Sequence, residues 1–136
     1  MTWLLDTNIV SELRKGERAD GRLRAWFADA HEDSLFTSVL VVGEIRRGIE
    51  SLRRRDVPSS LALDLWLAAL TEGFADRILP VDRLVAEEWG RLNVPDPVPT
   101  VDGLLAATAR VHGLTLVTRN TRDVARTGVP LLDPTA

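Results

Sequence analysis

Apolar residues fall along this chain in two kinds of segment. Short runs rich in Leu, Val and Ile predict buried strands at residues 3–5, 35–37, 78–81, 114–117 and 129–132. Longer stretches between them carry helical spacing. Val42, Ile45, Ile49 and Leu52 recur every three or four residues, which predicts a helix over about 39–54 with one apolar stripe. Leu61, Leu65, Ala68 and Leu70 predict a second helix, entered through Pro58 and the serines after it. Leu84, Val85, Glu88, Trp89 and Leu92 predict a third. Val101, Leu104, Leu105, Thr108 and Val111 predict a fourth, which Gly113 ends. Strands alternating with helices imply crossover connections and a mainly parallel sheet covered on both faces, an α/β fold. The proline-rich stretch at 93–99 separates two helices and is too short for an interdomain linker, so residues 1–136 are expected to form one domain.

Composition narrows the chemistry. The sequence has no cysteine, which excludes a disulfide framework, a thiolate metal site and a cysteine nucleophile. It has no Gly-x-Gly-x-x-Gly and no Gly-Lys-Ser/Thr phosphate loop. The first residues become charged too soon for a signal peptide, and no apolar run nears the roughly 20 residues of a membrane-spanning helix. A cytoplasmic location is expected. Net charge is −3, but almost all the cations are arginine, with Lys15 the only lysine. Arginine pairs bidentately with phosphate, so the sum of charges does not exclude a nucleic-acid partner. Arg46, Arg47, Arg53, Arg54 and Arg55 either attract an RNA backbone or form the solvated end of their helix.

The informative residues are acids in separate segments. In an open parallel sheet, ligands bind beyond the C-terminal ends of the strands. Asp6 directly follows the first strand, and Thr7 and Asn8 after it are suited to cap a helix there. Glu44 stands in the early turns of the helix after the second strand, beside its apolar stripe, where an unpaired carboxylate is costly to desolvate. Asp102 opens the helix after the proline loop, and Thr118, Arg119, Asn120 and Asp123 follow a late strand. Any one such acid has an ordinary explanation in helix capping and the helix dipole. Four segments delivering acids to one rim point instead to a hard divalent cation such as Mg²⁺ or Mn²⁺, which takes oxygen ligands and relieves their repulsion.

In order along the chain, Leu5-Asp6-Thr7-Asn8-Ile9-Val10-Ser11-Glu12, Val42-Gly43-Glu44-Ile45-Arg46-Arg47-Gly48, Asp102-Gly103-Leu104-Leu105-Ala106-Ala107-Thr108-Ala109 and Leu116-Val117-Thr118-Arg119-Asn120-Thr121-Arg122-Asp123 resemble the PIN-domain ribonucleases. The resemblance is nearest to VapC toxins of bacterial toxin–antitoxin pairs, in the FitB-like branch. It implies a small three-layer α/β/α sandwich around a mainly parallel sheet, and RNA cleavage with Mg²⁺ or Mn²⁺. By motif, Asp6 and Asp102 correspond to the principal metal ligands and Glu44 to a third acidic residue. Relatives often carry an acid where this chain has Asn120; others place it later. Asp123 is therefore expected to be the fourth acid and third metal ligand, with Asn120 a polar neighbour that positions water or phosphate.

The same resemblance implies that Glu44 either ligates through water or activates the attacking water. Thr7, Asn8 and Thr118 are expected to position substrate or water, and Arg119 to contact the scissile phosphate. A small antitoxin partner and a homodimer are also implied, with Trp66 a candidate for a partner-facing groove. The rival expectation is a PIN-like module that binds RNA or protein without cleaving it. An Asp-nucleophile phosphatase fits poorly, because Asn8 replaces its second Asp and the late lysine is missing.

Overall fold

Residues 3–5 pair on both sides, and that placement organises everything else. In a computed structural model describing residues 1–136, the elements run β1 (Trp3–Leu5), α1 (Thr7–Leu13), α2 (Gly21–Asp29), β2 (Leu35–Ser38), α3 (Val39–Arg53), α4 (Val57–Phe74), β3 (Ile78–Leu79), α5 (Arg83–Leu92), α6 (Thr100–His112), β4 (Thr115–Val117), α7 (Thr121–Val124) and β5 (Leu131–Leu132). The five strands form one sheet in the order β3-β2-β1-β4-β5. All pairings are parallel, with Leu4 opposite Phe36 on one side and Leu116 on the other. The chain builds outward from β1 to β3, then returns to lay β4 and β5 against the opposite edge of β1. A switch point therefore lies between β1 and β4, and a crevice opens there beyond the strands' C-terminal ends.

The helices flank this sheet, α3 packing on α4 and α5 on α6. Leu4, Leu5, Ile9, Leu23, Leu105, Leu116 and Val117 lie at the centre of the core, each at most 1 % exposed. The central strands hold despite their shortness because both faces are largely covered, which suits their continuous apolar runs, while the edge strands β3 and β5 are half-buried. Gly113 ends α6 with φ 68°, the left-handed cap expected of it.

Several local expectations change. The buried stripe of α3 is Val41, Ile45 and Ile49, with Val42 only half-buried, so the helix is turned slightly from the sequence reading. Helix α4 departs further: it buries Ser60 and Leu67, while Leu61 and Leu65 are 52 % and 75 % exposed. This helix is apolar on nearly every side, so its sequence alone does not choose the inward face. The face that turns inward carries Leu63, Trp66, Leu67, Leu70 and Phe74, which pack on the core, and beside it Asp64 receives Arg46 at 2.5 Å and Arg53 at 2.8 Å from α3. The same bridges, with Glu50 at 3.1 and 2.9 Å, occupy two of the arginines considered for RNA contact. Helices α2 and α7 escaped the sequence reading, because α2 is weakly amphipathic and α7 is one turn long.

Candidate active site

Asp6 ends β1 and is itself the N-cap of α1, a role the sequence reading gave to Thr7 and Asn8. Its Oδ1 accepts the backbone N–H of Thr7 at 2.6 Å. Its Oδ2 accepts the hydroxyl of Thr118 at 2.7 Å from the end of β4, across the switch point. Asp6 is only 6 % exposed. Burial pushes its carboxyl above the usual carboxylate range; the Thr118 hydroxyl and the Thr7 amide pull it down, and Glu44 adds a further push upward.

Glu44 comes from α3, and its Oε1 accepts the Thr7 hydroxyl at 2.5 Å. Asp102, in the first turn of α6, accepts Asn120 Nδ2 at 3.0 Å on its Oδ2. Its carboxyl is also raised, first by burial and then by the charges of Asp6, Asp123 and Glu44, against the lowering by Asn120. Acids from four separate segments thus feel one another across a single crevice.

The remaining residues differ in how closely they join this group. Thr118, buried at 1 %, donates to Asp6 while its oxygen accepts the Asn120 N–H at 3.0 Å. Asn8 reaches Asp6 and Thr118 with longer contacts of 3.4 Å. Asp123 is exposed on α7 and touches the group through its charge, whereas Asn120 bonds Asp102 directly. Arg119 turns toward α1, its Nη2 3.3 Å from Glu12 Oε1, while its backbone N–H reaches Asn8. Glu12 was quoted in a motif but given no role. It is 8 % exposed and also receives Lys15 Nζ at 2.9 Å and the Asp20 N–H at 3.0 Å. These hold its carboxyl below the ordinary range, Lys15 most strongly. A lone acid beside Ile9, Val10 and Leu13 was the sequence trace of this anchor.

All donors in the crevice are hard oxygens, the chemistry that Mg²⁺ and Mn²⁺ prefer. No three acids stand close enough to hold an ion by direct ligation alone. That arrangement fits Mg²⁺, which commonly takes one or two carboxylates and keeps several waters. Arg47 pairs with Glu44 at 4.0 Å from a guanidinium largely in solvent, whereas Asp6 and Asp102 have no ion-pair partner. Asp6, buried, and Asp102, half-buried, both have raised carboxyls and no cationic partner, and a divalent ion would stabilise them.

The PIN domain family matches residues 3–129 of the chain. The protein belongs to the PIN domain family. Among PIN relatives, Toxin FitB of Neisseria gonorrhoeae is 31 % identical over 136 residues, covering 96 % of each chain. The crystal structure of FitAcB from the same organism superposes with a TM-score of 0.89 and 29 % identity, over 98 % of each chain. VapC ribonuclease Y4jK of Sinorhizobium fredii is 30 % identical, also over 96 % of each chain. A toxin–antitoxin complex from Klebsiella pneumoniae matches with a TM-score of 0.65 and 26 % identity, over 98 % of each chain. The all-parallel PIN sheet is as the resemblance implied.

Within this PIN domain, Thr118 separates scaffold from chemistry most simply. Thr118→Val keeps the shape and removes the hydroxyl that orients Asp6. Any divalent-metal affinity of the crevice is expected to fall roughly 10- to 100-fold with it, the usual effect of losing a partner that orients a carboxylate. Near-unchanged far-UV circular dichroism together with weaker Mn²⁺ binding by calorimetry would meet this expectation; parental affinity would show that Asp6 needs no such support.

Proposed function

We propose that this chain is the toxin of a type II toxin–antitoxin pair, acting as an Mg²⁺- or Mn²⁺-dependent endoribonuclease. One observation carries the reading: Asp6, buried at the end of β1, is bonded by Thr118 across the switch point, and Glu44, Asp102 and Asp123 from three other segments lie near enough for their charges to act within the same crevice. Kinship with a named toxin and a named ribonuclease supports it.

The ion, when bound, supplies polarisation of the phosphodiester and lowers the cost of the negative charge that develops on it. Asp6 and Asp102 hold that ion, with Asp123 on α7 as the outer acid. Thr118 and the Thr7 amide fix the Asp6 carboxylate, and Asn120 fixes that of Asp102. Thr7 occupies one Glu44 oxygen, and Oε2, 4.0 Å from the Arg47 guanidinium, is left to accept a proton from the attacking water. Glu44 suits this task because its side chain is 27 % exposed, open to the solvent that must enter.

Beside Thr7 and Glu44 a cleft of about 300 Å³ runs between α1, α3 and α4, past Ser11, Arg14 and Arg55 to Trp66. Its apolar wall and two arginines suit a segment of the antitoxin. The Arg14 guanidinium lies 6.0 Å from the Trp66 ring, so that tryptophan is neither plain core nor fully exposed. Val57, Leu61 and Leu65, exposed at four-residue intervals on α4, support a homodimer.

The test is cleavage of single-stranded RNA by the purified protein. EDTA is expected to abolish cuts, and Mg²⁺ or Mn²⁺ to restore them. Cleavage that survives EDTA would overturn the mechanism, and none under any metal would favour the binding-only module. The fourth position is tested alongside: Asp123→Asn is expected to weaken metal affinity, shifting half-maximal Mg²⁺ upward by roughly 10-fold or more. A shift on Asn120→Ala alone would assign that position to Asn120.

A further inference from the structure

Two acidic side chains of this chain are buried, Asp6 at 6 % exposure and Glu12 at 8 %. Asp6 belongs to the crevice. Glu12 does not, yet a carboxylate this deep is costly unless it is well paired. It stands one turn after Asn8 on α1, so the two side chains share a face of that helix. Both meet Arg119, which lies in the three-residue connection between β4 and α7. Asn8 Oδ1 accepts the Arg119 backbone N–H at 3.4 Å, and Glu12 Oε1 lies 3.3 Å from its Nη2. On either side of Arg119 stand Thr118 and Asn120, which bond Asp6 at 2.7 Å and Asp102 at 3.0 Å. Glu12 is itself held from behind, by Lys15 Nζ at 2.9 Å on Oε1 and by the Asp20 N–H at 3.0 Å on Oε2.

We infer that Glu12 is a positioning residue for the crevice: through Arg119 it clamps the β4–α7 connection to α1, and so sets where Thr118 and Asn120 hold the Asp6 and Asp102 carboxylates. The inference rests on the nuclease reading above. Thr118 is fixed independently, by its backbone N–H on the Leu132 carbonyl. Asn120 has no such partner in the sheet, and its N–H returns to the Thr118 hydroxyl. The Arg119 bridge therefore supplies the charged tie between this connection and α1. Because Glu12 is already oriented by two other donors, the bridge costs less side-chain entropy than a pair between two free surface chains. The same pairing turns the guanidinium toward α1 rather than into the crevice, so Arg119 acts on the acids and not on RNA.

The experiment compares the parent with Arg119→Met, Arg119→Lys, Glu12→Gln, Lys15→Met and the Glu12→Gln/Arg119→Met double variant. Mn²⁺ affinity is read by calorimetry without RNA, and exchange of the Asn120 amide proton by NMR without metal. Arg119→Met is expected to keep a folded thermal transition, to exchange at Asn120 roughly three- to tenfold faster, and to bind Mn²⁺ more weakly by a similar factor. Arg119→Lys, which keeps the charge, recovers most of both. Glu12→Gln moves both the same way, and the double variant is no worse than Arg119→Met alone, as for two residues that act as a unit. Lys15→Met removes the other ion pair on the same carboxylate and leaves Mn²⁺ affinity at the parent's value. Arg119→Met keeps every local bond of Glu12, so it decides the matter even should Glu12→Gln unfold. Parental Mn²⁺ affinity in Arg119→Met overturns the proposal, and slower RNA cleavage beside it would make Arg119 a phosphate contact. Equal weakening in Lys15→Met and Glu12→Gln also overturns it, leaving Glu12 an anchor of α1 alone. A parent that binds no Mn²⁺ and cuts no RNA sinks the nuclease reading, a distinct result read before any variant, and the metal-free exchange then judges the clamp by itself.

Discussion

Asp102→Asn is expected to abolish metal-dependent RNA cleavage and, in the same protein, to raise the thermal midpoint measured without metal. The loss of activity should exceed the roughly 100-fold upper range for loss of a supporting group, because on the proposed reading Asp102 is itself a ligand. The gain in stability follows from the raised pKa of Asp102, caused first by burial and then by Asp6, Asp123 and Glu44. A carboxyl whose folded pKa lies above its unfolded value binds its proton more tightly in the fold. Stability then falls as pH rises through that window, and the penalty is fully present above the folded pKa. Asparagine carries no charge, and its carbonyl still accepts the Asn120 side-chain N–H. The thermal midpoint of the variant is therefore expected to lie above the parent's at neutral pH. The difference from the parent should be largest near neutral pH and vanish below the ordinary carboxylate range. Adding Mg²⁺ should stabilise the parent and leave the variant unmoved. Scanning calorimetry at several pH values with and without Mg²⁺ measures all of this, and a variant less stable than the parent at pH 7 would contradict the electrostatic account. Function and stability trade against each other at this residue.

Gly103→Ala is the second large effect. The glycine sits one residue after Asp102, where α6 packs against α5 and the loop before it. An added Cβ would lie 2.6 Å from Val98 Cγ2 and 3.2 Å from two atoms of the Trp89 ring. Neither neighbour gives way easily: Val98 is 6 % exposed, and the Trp89 Nε1 is buried without a hydrogen-bond partner. The fold should lose about 1–3 kcal/mol, the usual cost of overpacking. The first turn of α6 should shift with it and carry Asp102 away from Asn120. Urea titration is expected to show a lower midpoint, and cleavage per folded molecule should fall as well. Normal cleavage by the folded fraction would show that the α5–α6 contact sets stability without setting Asp102.

How much of the site was legible beforehand differs residue by residue. Asp6 and Asp102 could be placed from local pattern alone, because an acid at the end of an apolar strand or the start of a helix has a position that topology dictates. Glu44 was legible for a different reason, as a charge set against an apolar stripe. The hydrogen bonds that orient these acids were not legible. Thr7 with Glu44, Thr118 with Asp6, and Asn120 with Asp102 join residues 37, 112 and 18 positions apart. Arg119 shows the same limit from the other direction. A motif suggested phosphate, yet its guanidinium faces Glu12, an acid more than a hundred residues earlier.

By itself, then, the order of apolar and polar residues determined which segments are strands, that the sheet is parallel, and which edge collects the acids. These follow from short continuous apolar runs, from the 3.6-residue period and from burial, which act within a few residues of one another. The tertiary structure decided the sheet order and hence the switch point beside β1. It also decided which face of α4 meets solvent, and whether Asp123 or Asn120 stands against Asp102. Each of those depends on pairing between distant segments, where a difference of one hydrogen bond or ion pair selects among arrangements that the local pattern leaves equal.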